Sequence, residues 1–232
     1  MITLGNEKIV DISVGNDLAM VASVGDEILF PKRNIDTLVR DVDLIGGTGI
    51  ELISGIQTTM QNVVHTGKGM KFNGTTSKIF WDGGASPLEY TLFNTFTVDE
   101  FKGSHPRLSG EHPLHTMTLH SGNQYAIGFW GPNKDSVFPK KVAPKVKETV
   151  QFAFRYSPTT RLLELFRNGV KVDEMTNIQQ ADNVIRKFIG CRTANDRTFT
   201  GEIHEHFIHD VALTDKDLYN EFLVSQIKCG IA

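Results

Sequence analysis

Turn-forming dipeptides recur along most of the chain, and they favour short strands over long helices. Glycine beside asparagine or aspartate supplies the positive-φ positions that tight hairpin turns require. These signals are GGTG (46–49), NG (73–74), DGG (82–84), SGN (121–123), GPN (131–133) and NG (168–169). Strands separated by turns at such spacing are typical of a sandwich or barrel rather than of βαβ units. The sequence therefore predicts an all-β domain.

The clearest single strand and the clearest hairpin follow each other in the second half. In VQFAFRY (150–156) the residues Val150, Phe152, Phe154 and Tyr156 alternate with Gln151, Ala153 and Arg155. This period of two predicts a strand with one apolar face. In RLLELFRNGVKVDEM (161–175) two strand-like runs meet at Asn168-Gly169, the preferred sequence for a type I′ turn.

The C-terminal segment departs from this pattern and predicts one short helix. Thr214 is followed three residues later by Asp217, which together form a capping box. Leu218, Phe222, Leu223 and Ile227 recur at helical spacing, and Gly230 stands where a C-terminal stop is expected.

Residues 1–33 form a separate N-terminal region. The element Ser-Val-Gly-Asn/Asp occurs twice, ten residues apart, at 13–16 and 23–26. Turn residues flanked by short apolar runs indicate a small β meander. Because so small a sheet buries little surface, we expect it to dock against the main domain or another chain. We therefore divide the chain into an attachment arm, 1–33, and a domain, 36–232.

Composition narrows the functional classes. Lys+Arg 24 against Asp+Glu 27 is nearly balanced, which argues against a general nucleic-acid binder. No apolar run approaches the ~18 residues needed to span a bilayer, and no charged segment followed by an apolar stretch opens the chain. We expect a protein made in the cytoplasm without export or membrane insertion. Cys191 and Cys229 are too few for a disulfide framework, although the sequence leaves their pairing open.

Several motifs resemble one family. LELFRNGVKV (163–172), Ile189-Gly190, a segment with Phe199, Gly201, Ile203 and Glu205, and VALTDKDL (211–218) occur in the family's order, after GMKFNGTTSKIFW (69–81). Residues 36–232 thereby resemble the laminin-G-like branch of the concanavalin A-like lectin and glucanase superfamily. The resemblance implies a jelly-roll sandwich of two antiparallel sheets, here with the short N-terminal β arm and the C-terminal helix. Some laminin-G-like domains bind calcium, so calcium is the one cofactor that the resemblance leaves open.

Carboxylates and imidazoles crowd residues 202–209. Strand parity predicts that Ile203, Glu205, Phe207 and His209 point to one side, and Glu202, His204, His206 and Ile208 to the other. His204, His206 and Glu202 are the candidate metal ligands, against the alternative of an ordinary polar strand face. The glucanases of this family carry an E-x-D-x-E strand, which is absent here, and Glu202 and Glu205 differ in parity. We therefore expect no enzymatic activity.

Two tryptophans are the candidate sugar-binding residues. Trp81 precedes DGG and Trp130 precedes GPN, so each stands at a strand end beside a glycine-rich loop. An indole face with polar groups at its rim suits a sugar ring. Asp82, Asn133 and Asp135 are the candidate polar contacts. The alternative is that both tryptophans are core residues closing the ends of the sandwich.

Two functional hypotheses result. Extracellular laminin-G-like domains normally follow a secretion signal, whereas a phage protein leaves its host by lysis. The first hypothesis is therefore a non-enzymatic phage virion protein of the tail, fibre or capsid surface. We expect it to contact other virion proteins through residues 1–33, to form a homo-oligomer and to bind host-surface polysaccharide. The alternative is a free carbohydrate-binding module or degenerate glycoside hydrolase, which predicts a monomer.

Overall fold

The structure is a computed structural model that describes most of the domain and short pieces of the arm. The described residues are 3–4, 7–8, 23–24, 27–28, 33, 35–103, 105–111, 115–120, 126–130, 135–140, 142–179, 186–191 and 197–231. For 111, 115, 126, 129, 130, 135 and the arm pieces before residue 33, only the backbone is described.

The described residues form 21 strands and one helix. The N-terminal strands are β1 (Thr3–Leu4), β2 (Glu7–Lys8), β3 (Ser23–Val24) and β4 (Glu27–Ile28). They are followed by β5 (Leu38–Asp41), β6 (Ile50–Glu51), β7 (Ile56–Gln57), β8 (Thr59–Gln61), β9 (Val64–His65), β10 (Met70–Asn73) and β11 (Lys78–Asp82). The rest are β12 (Tyr90–Val98), β13 (Arg107–Glu111), β14 (His115–His120), β15 (Ala126–Trp130), β16 (Asp135–Val137), β17 (Thr149–Ser157), β18 (Leu162–Arg167), β19 (Val170–Met175), β20 (Arg186–Ile189) and β21 (Thr200–His209), before helix α1 (Asp215–Cys229).

Two large antiparallel sheets make up the domain, which confirms the predicted sandwich. One has eight strands in the order β19-β18-β17-β12-β21-β10-β9, with β5 beside β21. The other has seven strands in the order β16-β15-β14-β13-β20-β11-β8. Buried side chains from both sheets form one core between them, including Leu92, Phe96, Phe152, Ile79, Met117, Ile127 and Ile189. In the arm, β1 pairs with β2 and β3 with β4; the first repeat element, 13–16, lies outside the described residues.

The predicted strand and hairpin are both confirmed. Val150, Phe152, Phe154 and Tyr156 all belong to the core between the sheets, as their alternation predicts. Asn168 and Gly169 join β18 to β19 with φ of 49° and 74°. Two consecutive positive φ values are the signature of the type I′ turn, which these two residue types adopt at little steric cost.

Helix α1 also begins and ends where the sequence predicts. The Thr214 hydroxyl accepts a hydrogen bond from the Asp217 amide at 3.2 Å, and Gly230 terminates the helix in the left-handed conformation. Leu218 and Phe222 are buried as expected, but Ile227 is 44% exposed. Successive residues are rotated by about 100°, so the buried Ser225 places Ile227 on the opposite side of the helix. Among the described residues, no helix is long and apolar enough to cross a membrane.

Candidate functional site

The two outward faces of the sandwich differ in what covers them. The outward side of the eight-stranded sheet, the back face, carries Phe93, Ala153, Phe166 and Phe207, which pack with Leu218 of α1 in a second core. The outward side of the seven-stranded sheet, the front face, carries Phe80, Phe188, Gly110, Thr116 and Thr118, which alternate with the core residues of their strands. Of these five residues only Phe80 is partly exposed, so the Phe80 end of the front face is where a site can be built.

An aromatic pair occupies one side of the front face. Phe80 of β11 lies opposite Phe188 of β20, with ring centroids 6.3 Å apart. Phe188 is 9% exposed and Phe80 is half-buried, so part of the Phe80 ring reaches solvent. Two cations flank this ring, with Lys78 Nζ 5.7 Å and Arg186 Cζ 6.0 Å from its centroid.

An exposed ion pair lies beside the aromatic pair. Arg186 donates from Nε to Asp82 Oδ1 at 2.8 Å and from Nη2 to Oδ2 at 3.1 Å. The hydrogen bonds from Arg186 lower the pKa of Asp82, so this carboxylate stays ionised. Because this fork is planar and rigid, it presents polar groups in a defined orientation next to an apolar ring.

Small residues form the middle of the front face. Gly110 lies opposite both Phe188 and Thr116, and Thr118 lies opposite Gly128. A Cβ at Gly128 would lie 2.5 Å from the Ser136 carbonyl oxygen, so a side chain there is excluded. Thr116 and Thr118 are fully buried, and their hydroxyls have no hydrogen-bond partner within the described part of the chain. An unpaired buried hydroxyl costs about 1–3 kcal/mol, so these two hydroxyls are energetically unfavourable in this part of the sheet.

Two imidazoles stand at the end of β14. His105 Nε2 and His120 Nε2 are 2.7 Å apart, and the rings meet edge to face. One ring donates this hydrogen bond and the Nε2 of the other accepts it. In the described ranges, no three side chains of His, Cys, Asp or Glu converge to hold a metal ion.

The predicted sugar-binding residues are placed differently. Trp81 is 3% exposed and packs in the core between the sheets, which matches the alternative that the sequence left open. Asp82, its neighbour, points to the front face. Trp130 lies opposite Asp135 in the pairing of β15 with β16, but both side chains lie outside the described part, as does Asn133. Sequence reasoning missed Phe80, Phe188 and Arg186; the alternation of Lys78, Phe80 and Asp82 with Ile79 and Trp81 was the available signal.

A β-bulge overturns the predicted parity of residues 202–209. Thr95 pairs with Glu205 and Phe96 with Ile203, so His204 is an extra residue in β21. An extra residue reverses the sides on which the side chains before and after it lie. Ile203 and Ile208 consequently share the core between the sheets, whereas Phe207 lies on the back face.

The prediction that His204 and His206 share a face is therefore wrong. His204 bonds through Nε2 to the Thr97 hydroxyl at 2.9 Å and through Nδ1 to the Lys68 carbonyl at 2.9 Å. His206 Nδ1 contacts Asn94 Oδ1 at 3.0 Å, and Asn94 donates to Ser109 of the other sheet. Glu202 accepts a hydrogen bond from the Thr66 hydroxyl. Glu202 Oε1 also lies 3.8 Å from His204 Nδ1, so these two candidate metal ligands are neighbours, whereas His206 bonds on the other side of the strand.

The two cysteines are also accounted for. Cys191 and Cys229 are both buried free thiols. Burial is the main cause that raises the pKa of the Cys229 thiol, with the nearby Glu205 carboxylate adding to it. A neutral buried thiol is a poor nucleophile, so Cys229 is not set up as a reactive centre.

Comparison with known proteins supports the fold. Residues 89–218 match the family model of the Laminin_G_3 group, described as the concanavalin A-like lectin/glucanases superfamily. No curated protein matches the sequence.

Solved structures with a similar fold include a sialidase and one domain of an arabinanase. A Trypanosoma rangeli sialidase complex superposes with a TM-score of 0.67 at 14% identity, covering 85% of this chain and 34% of that one. Domain 4 of AbnA, an extracellular arabinanase from Geobacillus stearothermophilus, in complex with arabinotriose, gives 0.65 at 15% identity, covering 79% of this chain and 97% of that domain. This chain thus spans about a third of the sialidase. At such identities the likeness shows the fold alone.

Proposed function

Because the chain belongs to the concanavalin A-like lectin/glucanase superfamily, we propose that it binds carbohydrate at its front face and does not cleave it. The observation that carries the proposal is the half-buried Phe80, packed on the buried Phe188, beside the exposed Asp82–Arg186 fork. A sugar ring has apolar C–H faces and a polar rim, and this surface offers a partner for each. The arabinotriose bound to domain 4 of AbnA supports the same reading by analogy of fold.

The chemistry of the Asp82 carboxylate favours binding over hydrolysis. Glycoside hydrolysis uses two carboxyl groups, one of which must hold a proton to protonate the leaving oxygen. The pKa of Asp82 is lowered by the hydrogen bonds from Arg186, so it is a poor proton donor. Asp82 instead orients Arg186, and the pair supplies a fixed acceptor and donor for sugar hydroxyls.

The predicted contacts at the opposite edge suggest the size of the ligand. Trp130 and Asp135 lie on β15 and β16, and Asp82 lies on β11. Four strand-to-strand steps separate β15 from β11 in the sheet order, or about 19 Å at the usual spacing of ~4.8 Å. A ligand that touches both groups is therefore an oligosaccharide, and we propose Trp130, Asn133 and Asp135 as contacts at its far end.

A glycan array followed by calorimetry tests the proposal. We expect the intact chain to bind an oligosaccharide, and Phe80→Ala to weaken binding by about tenfold, the equivalent of the ~1.4 kcal/mol that a ring contact supplies. Val170→Ala is the matched control, because Val170 is 60% exposed on β19 at the far edge of the other sheet. A blank array, or equal losses in the two variants, would refute this assignment.

A second candidate function is display on a phage virion. We propose that residues 1–33 attach the domain to other virion proteins in a symmetric oligomer. The observation in favour is that Arg33, the last residue of this region, is buried against the back face, where it pairs with Glu221, so the region joins the domain at a defined point. Size-exclusion chromatography of the intact chain against one that lacks residues 1–32 but keeps Arg33 tests this role. Identical monomeric elution of the two proteins would count against it.

A further inference from the structure

The last residue of the arm is buried in a cluster of three carboxylates. Arg33 is 1% exposed and donates from Nε to Glu221 Oε2 at 2.9 Å, from Nη1 to Asp41 Oδ2 at 3.3 Å and from Nη2 to Glu205 Oε1 at 2.8 Å. The three acceptors come from α1, β5 and β21 respectively. One guanidinium therefore joins the helix, the first strand of the domain and a central strand.

An aromatic ring completes this site. Arg33 Cζ lies 3.8 Å from the centroid of Phe207, and Phe207 stacks on Phe93 with centroids 4.5 Å apart. The N–H groups at the edges of the guanidinium thus donate hydrogen bonds to carboxylates, while one of its faces packs on the buried Phe207 ring. This matches the planar, five-donor geometry of arginine and not the single charge of lysine.

The negative charges around Arg33 make its replacement by a neutral residue unfavourable. Asp41, Glu205 and Glu221 face it, and Lys228 Nζ is 3.9 Å from Glu205 Oε1. His209 Nε2 lies 3.6 Å from Glu221 Oε1, and its pKa is lowered to about 3 by burial and by the charge of Arg33, so it is neutral. Without Arg33, three buried carboxylates would face one lysine, a strongly unfavourable state in a desolvated site.

We propose that Asp41, Glu205, Glu221 and Phe207 form a guanidinium-binding socket whose occupant, Arg33, anchors residues 1–32 to the back face. The socket fixes the point at which the arm leaves the domain, because Arg33 is two residues from Ile35 and eight from Asp41. The anchor does not depend on the proposed carbohydrate binding, which uses the opposite face. Its ligand class is a guanidinium cation, supplied here by the chain itself.

Rescue with free guanidinium tests the socket. Arg33→Ala should lower the melting temperature, and low concentrations of guanidinium chloride should raise it again, whereas sodium chloride of equal ionic strength should not. Arg33→Lys should recover only part of the loss. Arg155→Ala is the matched control: Arg155 also pairs with two carboxylates and lies 4.8 Å from Phe166, but 15% of its side chain is exposed. Equal effects in the two alanine variants, or no rescue, would overturn the proposal.

The anchoring of the arm has its own readouts. Cleavage after Lys32 by a lysine-specific protease should be faster in Arg33→Ala than in Arg155→Ala, and an unchanged rate would show that the socket does not hold the arm. If Arg33→Ala fails to fold, the intact chain still decides the matter. An arginine-specific dicarbonyl should modify the exposed Arg186 while Arg33 stays protected, and equal rates of modification would overturn the socket.

Discussion

Gly190 offers the sharpest test of how the core is packed. Its φ is +81°, and a Cβ at this position would lie 2.1 Å from Cε1 of Phe72, which is 1% exposed. The backbone cannot easily yield, because the Gly190 amide donates to the Leu108 carbonyl at 2.9 Å and its carbonyl accepts from the Phe199 amide at 2.8 Å. Gly190→Ala therefore combines a strained backbone with a clash in the core.

Both contributions have known magnitudes. A non-glycine residue in the left-handed region costs about 1–2 kcal/mol. Forcing extra atoms into a packed core costs about 1–3 kcal/mol. Their sum of about 2–5 kcal/mol is a large part of the 5–15 kcal/mol that typically stabilises a domain. For a chain of this length it corresponds to a fall in melting temperature of roughly 5–20 °C.

Equilibrium unfolding in urea, with thermal unfolding alongside, measures this loss. Gly55→Ala is the control, since Gly55 has a φ of +69° and a Cβ added there would meet nothing within 4 Å. The control reports the backbone strain alone, and the difference between the variants reports the clash. Adding Phe72→Leu should relieve part of the loss in Gly190→Ala but not in Gly55→Ala. If Gly190→Ala is no less stable than Gly55→Ala, the packing argument fails.

Three further outcomes follow from the structure. Thr214→Ala should cost about 1 kcal/mol of unfolding free energy and Thr214→Ser much less, since only the hydroxyl caps the Asp217 amide. The pKa of His209 is lowered to about 3 in the folded chain. As the pH falls below 6.5, His209 therefore binds a proton in the unfolded chain but not in the folded chain. His209→Gln should therefore remove up to about 1.4 kcal/mol per pH unit of acid destabilisation between pH 6 and 4, as urea titrations would show. Ellman's reagent should detect Cys191 and Cys229 only after unfolding, because both are buried.

Much of the architecture was predictable because it depends on local chemistry. The Asn168-Gly169 turn forms where two residues accept positive φ, and α1 begins at a side chain that caps it and ends at a glycine. The alternation in β17 likewise placed Val150 through Tyr156 on the core side. Each of these features is specified by residues within a few positions of one another.

The candidate site was predictable only in part. Asp82 does lie on the front face, but its tryptophan neighbour proved to be a core residue, and the aromatic side chain beside Asp82 on that face is Phe80. Parity along β11 places one of these two rings inside and the other outside, yet it does not say which side is the core. That choice depends on which side of β11 packs against the other sheet, and there Ile79 and Trp81 join the core while Phe80 lies opposite Phe188 on the outward side.

By itself, the sequence determined the strands, the turns and the terminal helix, since these depend on backbone preferences and on hydrophobic periodicity. Only the tertiary structure decided which polar residues meet. The bulge at His204 arises from the pairing of β21 with β12, and it separates two histidines that lie two positions apart in the sequence. Arg33 meets Glu205 and Glu221 across 172 and 188 residues, a contact that no local pattern encodes. A buried charge is stable only beside a group of opposite charge, and the tertiary fold determines which residues are brought together to form such pairs.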